Sequence, residues 1–162
     1  MKRFEEIKNK IIVLKDVETI VSQYRKLNKK IVFTNGCFDI IHRGHLEYLA
    51  KASDFGDCLI IGLNSDKSVK LLKGETRPLQ DEYTRALILS GFGFVGNVVI
   101  FDDDTPYELI KLIKPDFLVK GADYKIEDIV GYDIVTQNGG SIVTIELVEG
   151  HSSTRIIKKL QE

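Results

Sequence analysis

Short β-branched and aliphatic runs alternate with helical patterns along the chain, and this alternation limits the fold more than any other feature. The strand candidates are Ile31 to Thr34, Cys58 to Leu63, Asn97 to Phe101, Asp116 to Val119 and Ser141 to Ile145. Most are apolar on both faces, the pattern of a parallel sheet covered by helices on each side. The intervening segments read as helices: Asp16 to Leu27, His45 to Phe55, Ser65 to Leu72, Asp81 to Leu89, Thr105 to Ile113, Ile126 to Gln137 and Ser153 to Leu160. Thr105-Pro106-Tyr107-Glu108 reads as a capping box with proline at the first helical position. The expectation is an α/β, doubly wound parallel sheet in a single domain, residues 1–28 forming a helical lead-in and 29–162 the catalytic core. In such sheets ligands bind beyond the carboxyl ends of the strands. The loops after Thr34, Leu63, Phe101, Val119 and Ile145 are therefore where chemistry is expected.

A length of 162 residues supplies one well-buried core and is short for two domains. The formal charge of −1 gives no basic field to draw the chain onto nucleic acid or an anionic membrane, so an anion site must be built locally. No apolar run approaches the roughly 20 residues of a membrane span, and Met1-Lys2-Arg3-Phe4-Glu5-Glu6 lacks the apolar stretch of a signal peptide. A cytoplasmic protein with small-molecule partners is expected. Cys37 and Cys58 have neither zinc-like nor redox spacing and read as reduced thiols.

Asn35-Gly36-Cys37-Phe38-Asp39 follows the first strand directly, where a glycine lets the backbone approach a ligand and turn N–H groups towards an anion. Next, His42-Arg43-Gly44-His45 opens a helix, with two imidazoles at i and i+3 near the positive end of the dipole and Gly44 removing a side chain between them. Other readings of the pair stand at this point: a cap and a satisfied first-turn histidine, or a metal site. The second lacks the i, i+4 spacing and the third ligand of zincins. Further along, Lys70 and Lys73 are flexible cations on one helical side, Gly74 marks that helix's end, and Arg77 sits in a turn closed by Pro78. Ser152, Ser153 and Thr154 precede Ile156-Ile157, so hydroxyls and free N–H groups meet at a second helix start, more hydroxyls than capping alone needs. Asp39 and Asp102-Asp103-Asp104 are candidate acidic partners for a cation, the latter also reading as a polar turn.

Strand followed by TNGCFDIIHRGH resembles the opening of the HxGH nucleotidylyltransferase superfamily. Gly62-Leu63-Asn64-Ser65-Asp66, Thr76-Arg77-Pro78-Leu79, Val119-Lys120-Gly121-Ala122-Asp123-Tyr124 and Glu149-Gly150-His151-Ser152-Ser153-Thr154 are similar to the adenylyltransferase half of the bifunctional ADP-heptose synthases. The resemblance runs from about Ile11 to Leu160. It implies a Rossmann-like fold and transfer of AMP from ATP to a heptose 1-phosphate, a step towards lipopolysaccharide. Glycerol 3-phosphate cytidylyltransferase and a non-catalytic nucleotide-binding module remain the alternatives.

By the same resemblance His42 and His45 are catalytic, and Lys73 is the preferred catalytic cation because Gly74 ends its helix and frees the chain to fold over the ligand as a mobile lid would. Asn35, Gly36, Cys37, Phe38, Gly44, Arg85, Lys120, Gly121, Asp123, Ser152, Ser153 and Thr154 bind nucleotide, while Asp39, Asn64, Lys70, Arg77 and Tyr124 bind substrate. Arg85 would reach phosphate or a partner subunit, a surface ion pair with Asp81 or Glu82 being the competing reading. Magnesium is expected to arrive with ATP, held by phosphate oxygens and few protein groups. A homodimer and a separate heptose kinase are also implied. Two segments depart from the family: Ser90-Gly91-Phe92-Gly93-Phe94-Val95-Gly96 is glycine-rich where a helix is expected, and His151 stands where an aromatic, basic or aliphatic residue is usual.

Overall fold

The computed structural model describes residues 2–146, 148, 150 and 152–161; Met1, Leu147, Glu149, His151 and Glu162 lie outside the described residues, and with them the His151 departure. The chain runs α1 (Lys2–Lys8), β1 (Ile11–Ile12), α2 (Val17–Lys26), β2 (Ile31–Gly36), α3 (Arg43–Ser53), β3 (Cys58–Asn64), α4 (Asp66–Lys73) and α5 (Glu82–Ser90). It continues through β4 (Val95–Phe101), α6 (Tyr107–Ile113), β5 (Phe117–Gly121), α7 (Tyr132–Gln137), β6 (Ser141–Ile145) and α8 (Ser153–Gln161). All strand pairs are parallel, in the order β1-β4-β3-β2-β5-β6. No helix among the described residues is long and apolar enough to cross a membrane.

The doubly apolar strands are explained by two cores, one on each side of the sheet. Phe33, Ile60, Val99 and Leu118 pack under α2, α6 and α7 through Val17, Leu109, Ile110, Ile113, Ile134 and Val135. Val32, Ile61, Leu63 and Val119 face the other way, against Tyr48, Leu49 and Ala52 of α3 and Ala86 and Leu89 of α5. Neighbouring residues of one strand thus enter different cores, as the two-residue period of a strand requires.

From β2 the chain builds β3 and β4 on one side and β5 and β6 on the other, so the winding reverses between β2 and β5. The β2–β3 ladder pairs six residues and β5–β6 five, whereas β2–β5 pairs only Val32 with Phe117 and Phe33 with Leu118. Beyond those two pairs the strands leave a crevice at their carboxyl ends, the ligand position of this architecture.

Several elements differ from the sequence expectations. Strand β1 falls inside the expected helical lead-in and joins the sheet edge against β4; two residues carry no periodicity. The helix expected from Ile126 to Gln137 is a 3₁₀ turn at Ile126–Asp128 and a separate α7, because Gly131 adopts φ 90° and its missing Cβ would stand 2.7 Å from Ile110. Helix α6 starts at Tyr107, with Pro106 at the N-cap and no side-chain capping bond, so Thr105 does not form the expected box. The glycine-rich departure ends α5 at Ser90, Gly91 being its C-cap.

Candidate active site

The crevice opens into a cavity of about 550 Å³ lined by residues of four loop regions. From the first come Asn35, Gly36, Cys37, Phe38, Asp39, His42, Gly44 and His45; from the second Asn64, Lys73 and Arg77. Lys120, Gly121, Asp123 and Tyr124 follow β5, and Ser152, Ser153 and Thr154 open α8. Residues scattered over the sequence therefore share one wall system.

Helix α3 begins at Arg43, with His42 as an extended N-cap residue whose side chain does not cap the helix. Its first main-chain bond runs from Leu46 N–H to the His42 carbonyl, so the N–H groups of Arg43, Gly44 and His45 have no intrahelical acceptor. The His42 and His45 rings stack at 3.8 Å between centroids, and the Phe38 edge meets His45 at 5.2 Å. Burial, then the neighbouring His42 charge, push the His45 pKa down to about 4, with the Ile40 backbone opposing. His45 is thus a neutral imidazole at neutral pH, with an N–H to donate and no charge to contribute.

At the opposite helix start, Ser152 is the ordinary cap: its Oγ accepts from Arg155 N–H at 3.2 Å. Ser153 Oγ donates to the Ile40 carbonyl at 3.3 Å and so fastens α8 to the loop before α3. Thr154 completes the hydroxyl group on the cavity wall. Two helix N-termini consequently converge on one space, an arrangement suited to a polyanion.

Asp39 is buried and grips the loop that follows α4. Its carboxylate accepts from Arg77 Nε at 2.6 Å, from Leu79 N–H at 2.8 Å and from Gln80 N–H at 3.0 Å. Burial alone would raise its pKa, but these donors outweigh it and hold the carboxyl below its usual range. An oxygen pair so occupied orients Arg77 and leaves little capacity for a metal ion. Lys73 is the last residue of α4, and Gly74 beyond it takes φ 97°, turning the chain out of the helix. The cavity is also lined by Tyr48, Leu72 and Val148, which the motifs did not single out. Tyr48 stands one turn beyond His45; its Oη donates to the Val119 carbonyl at 3.0 Å and lies 2.8 Å from Thr34 Oγ1, clasping β5 to β2. Burial pushes its pKa up to about 12. Cys37 is also raised by burial, which makes it a poor nucleophile.

A family model described as cytidylyltransferase-like matches residues 33–159, which holds every loop of this cavity. The chain belongs to the cytidylyltransferase-like family. Among curated relatives, proteins named bifunctional protein HldE are 54% identical over 157 residues in Campylobacter curvus (strain 525.92), covering 97% of this chain and 32% of that protein. The HldE of Campylobacter concisus (strain 13826) is 55% identical over 95% of this chain and 31% of its own length. The chain spans about a third of the length of the curated relatives it matches. Among solved structures, a lipopolysaccharide core biosynthesis protein from Thermoplasma volcanium GSS1 superposes with TM-score 0.61 at 24% identity, over 76% of this chain and 99% of that one. A pantoate-beta-alanine ligase from Francisella tularensis gives 0.54 at 15% identity over 93% of this chain and 77% of that one. Both share the Rossmann-like fold.

Two residues expected in this cytidylyltransferase-like site are not brought to it. Lys70 is exposed one turn before the end of α4 and does not line the cavity, which reaches only Leu72 and Lys73 of that helix. Arg85 is fully buried and makes neither a surface ion pair with Asp81 or Glu82 nor a cavity contact. It donates to the carbonyls of Gln80 at 2.9 Å, Cys37 at 2.6 Å and Asn64 at 2.8 Å, and to Asp66 Oδ1 at 2.8 Å. Arg85 is a brace between segments, and its guanidinium is taken up by them. No group of three His, Cys, Asp or Glu side chains that could hold a metal occurs among the described residues.

Proposed function

We propose that this chain transfers AMP from ATP to D-glycero-β-D-manno-heptose 1-phosphate, giving ADP-heptose and pyrophosphate in the cytoplasm. The observation that carries the reading is the convergence of the α3 and α8 starts on one crevice beside Lys73 and Arg77. Identity to proteins named HldE over nearly the whole chain supports the heptose acceptor. A kinase, fused or separate, must supply the 1-phosphate, and a homodimer is the expected assembly.

The acceptor needs no general base, since a phosphate monoester with its second pKa near about 6 is largely dianionic at neutral pH. One of its oxygens forms a bond to the α-phosphorus while the bond to the β-phosphate oxygen breaks, its electron pair leaving with pyrophosphate. The chain's task is to align two anions and stabilise the charge that accumulates. His42, His45 and the free N–H groups of α3 donate on one side of the triphosphate, Ser152 to Thr154 on the other. Lys73, released by Gly74, and Arg77, oriented by Asp39, supply charge from above. Gly121, Asp123 and Tyr124 frame base and ribose with Gly36, Cys37, Phe38 and Gly44 beneath. Magnesium enters as part of the nucleotide substrate; Asp39 is engaged by its N–H donors, so phosphate oxygens are the ligands that fit it.

The test is pyrophosphate release with ATP and CTP, each against heptose 1-phosphate and glycerol 3-phosphate. A loop that frames the base with fixed polar groups rejects the wrong base by leaving those groups unpaired. ATP should be preferred by at least about a hundredfold in kcat/KM, or about 2.7 kcal/mol. Preference for CTP with glycerol 3-phosphate, the direction in which the family description points, would replace the assignment. Nucleotide binding with no release from any acceptor would make the chain a binding module.

A further inference from the structure

Consecutive residues of β2 serve opposite sides of the sheet. Thr34 meets Tyr48 of α3, while Phe33 belongs to the core beneath α6. Asn35, two residues on, shares the side of Phe33: a Cβ added to Gly62 would lie 2.8 Å from the Phe33 ring, 3.2 Å from Asn35 Cβ and 3.2 Å from Leu109 of α6. On β5, Val119 packs with the α3 core and Leu118 with the α6 core, which puts Lys120 on the α6 side as well. The two side chains meet across the crevice, Lys120 Nζ donating to Asn35 Oδ1.

An ammonium carries three N–H donors, and here one goes to a neutral amide. Lys120 enters no ion pair among the described residues, and it lines the cavity. Burial pushes its pKa down to about 8, so it remains mostly charged at neutral pH. A desolvated cation without a counter-charge is costly unless an anion completes it. In displacement at phosphorus the entering and leaving oxygens lie roughly in line. The donors proposed for the triphosphate, at the α3 start and at the α8 residues tied to the loop before it, stand on the α3 side. The nucleophile then comes from the α6 side.

We propose that Lys120, held by Asn35, binds the phosphate of the acceptor and not the triphosphate, making it the residue that selects a phosphorylated nucleophile. This rests on the nucleotidyl-transfer reading above but not on the identity of the sugar. In Lys120→Met, whose side chain is of similar length and uncharged, the acceptor KM should rise at least about tenfold. ATP affinity, measured by calorimetry without acceptor, should stay within about twofold. A tenfold loss of ATP affinity with unchanged acceptor KM overturns the proposal. A second arm needs no turnover: inorganic phosphate is titrated into the complex with the non-hydrolysable analogue α,β-methylene ATP. Phosphate binding at least about tenfold weaker in Lys120→Met supports the subsite; equal binding overturns it, even if heptose 1-phosphate proves not to be the acceptor. Should Lys120→Met fail to fold, Lys120→Gln, which keeps a polar tip but removes the charge, decides by the same titration: weaker phosphate binding supports the proposal and unchanged binding overturns it.

Discussion

His45 couples the chemistry of the site to the stability of the fold. Its ordinary pKa of 6.5 falls to about 4 in the folded chain, burial being the main cause. Between those values the unfolded chain takes up a proton that the folded chain refuses. The stabilisation is therefore complete above pH 6.5 and is lost progressively as pH falls towards 4. His45→Ala should make urea-unfolding stability fall less steeply than in the parent across that window. The same variant should lose about a hundredfold in kcat, the effect of deleting one donor to a developing oxyanion. An unchanged pH slope with near-parental turnover would reduce the ring stack to packing.

At the scale of elements, two buried residues of opposite charge lock the same pair of segments. Asp39 reaches from the first loop to Arg77, Leu79 and Gln80, and Arg85 ties Cys37 and Gln80 to the end of β3 and the start of α4. Arg85→Lys keeps one charge but cannot serve four acceptors in a plane. It should cost about 3 kcal/mol in unfolding free energy and lower kcat more than it weakens ATP binding, because Lys73 and Arg77 lose their anchored loop. Melting and pyrophosphate-release kinetics on one preparation decide this, and parental kcat would mean the loop needs no brace.

This brace also marks where the sequence stops being legible. The doubly apolar strands and the helix starts at His42 and Ser152 were readable because periodicity and capping chemistry are local. Arg85 binds mostly carbonyl oxygens, which every residue possesses, so nothing in its neighbours announces the role. Spacing puts Lys70 and Lys73 on one side of α4, and Gly74 marks the end of the helix, but neither shows how far along that side the cavity reaches. Tyr48 was hidden by its ordinary appearance on an amphipathic helix. For β1, two residues paired with β4 are too few to carry a pattern.

The sheet is two panels, β1-β4-β3-β2 and β5-β6, joined by two ladder pairs, the Tyr48 clasp and the Lys120–Asn35 bond, with a shared core on each side. A nucleotide lodged between α3 and α8 would bridge both panels and should stabilise them together. At a concentration about a hundredfold above its Kd, ATP should add about 2.7 kcal/mol to unfolding free energy. The expected signature is one cooperative transition moving upward; an unmoved melting temperature at saturating ATP would mean that the nucleotide does not favour the folded chain.

The sparse β2–β5 ladder has a genetic side as well. Each panel is written by an unbroken stretch of chain, residues 11–101 for one and 117–145 for the other. The groups assigned to base and ribose after β5 lie downstream of the seam, while Lys73, Arg77 and the histidines lie upstream. A crossover in the exposed turn at Asp102-Asp103-Asp104 would exchange one set against the other and cut through neither core strand nor helix. Swapping the tail of the gene there would move the base- and ribose-framing groups, Lys120 and the α8 hydroxyls as one block, while the histidines, Lys73 and Arg77 stay with the parent lineage.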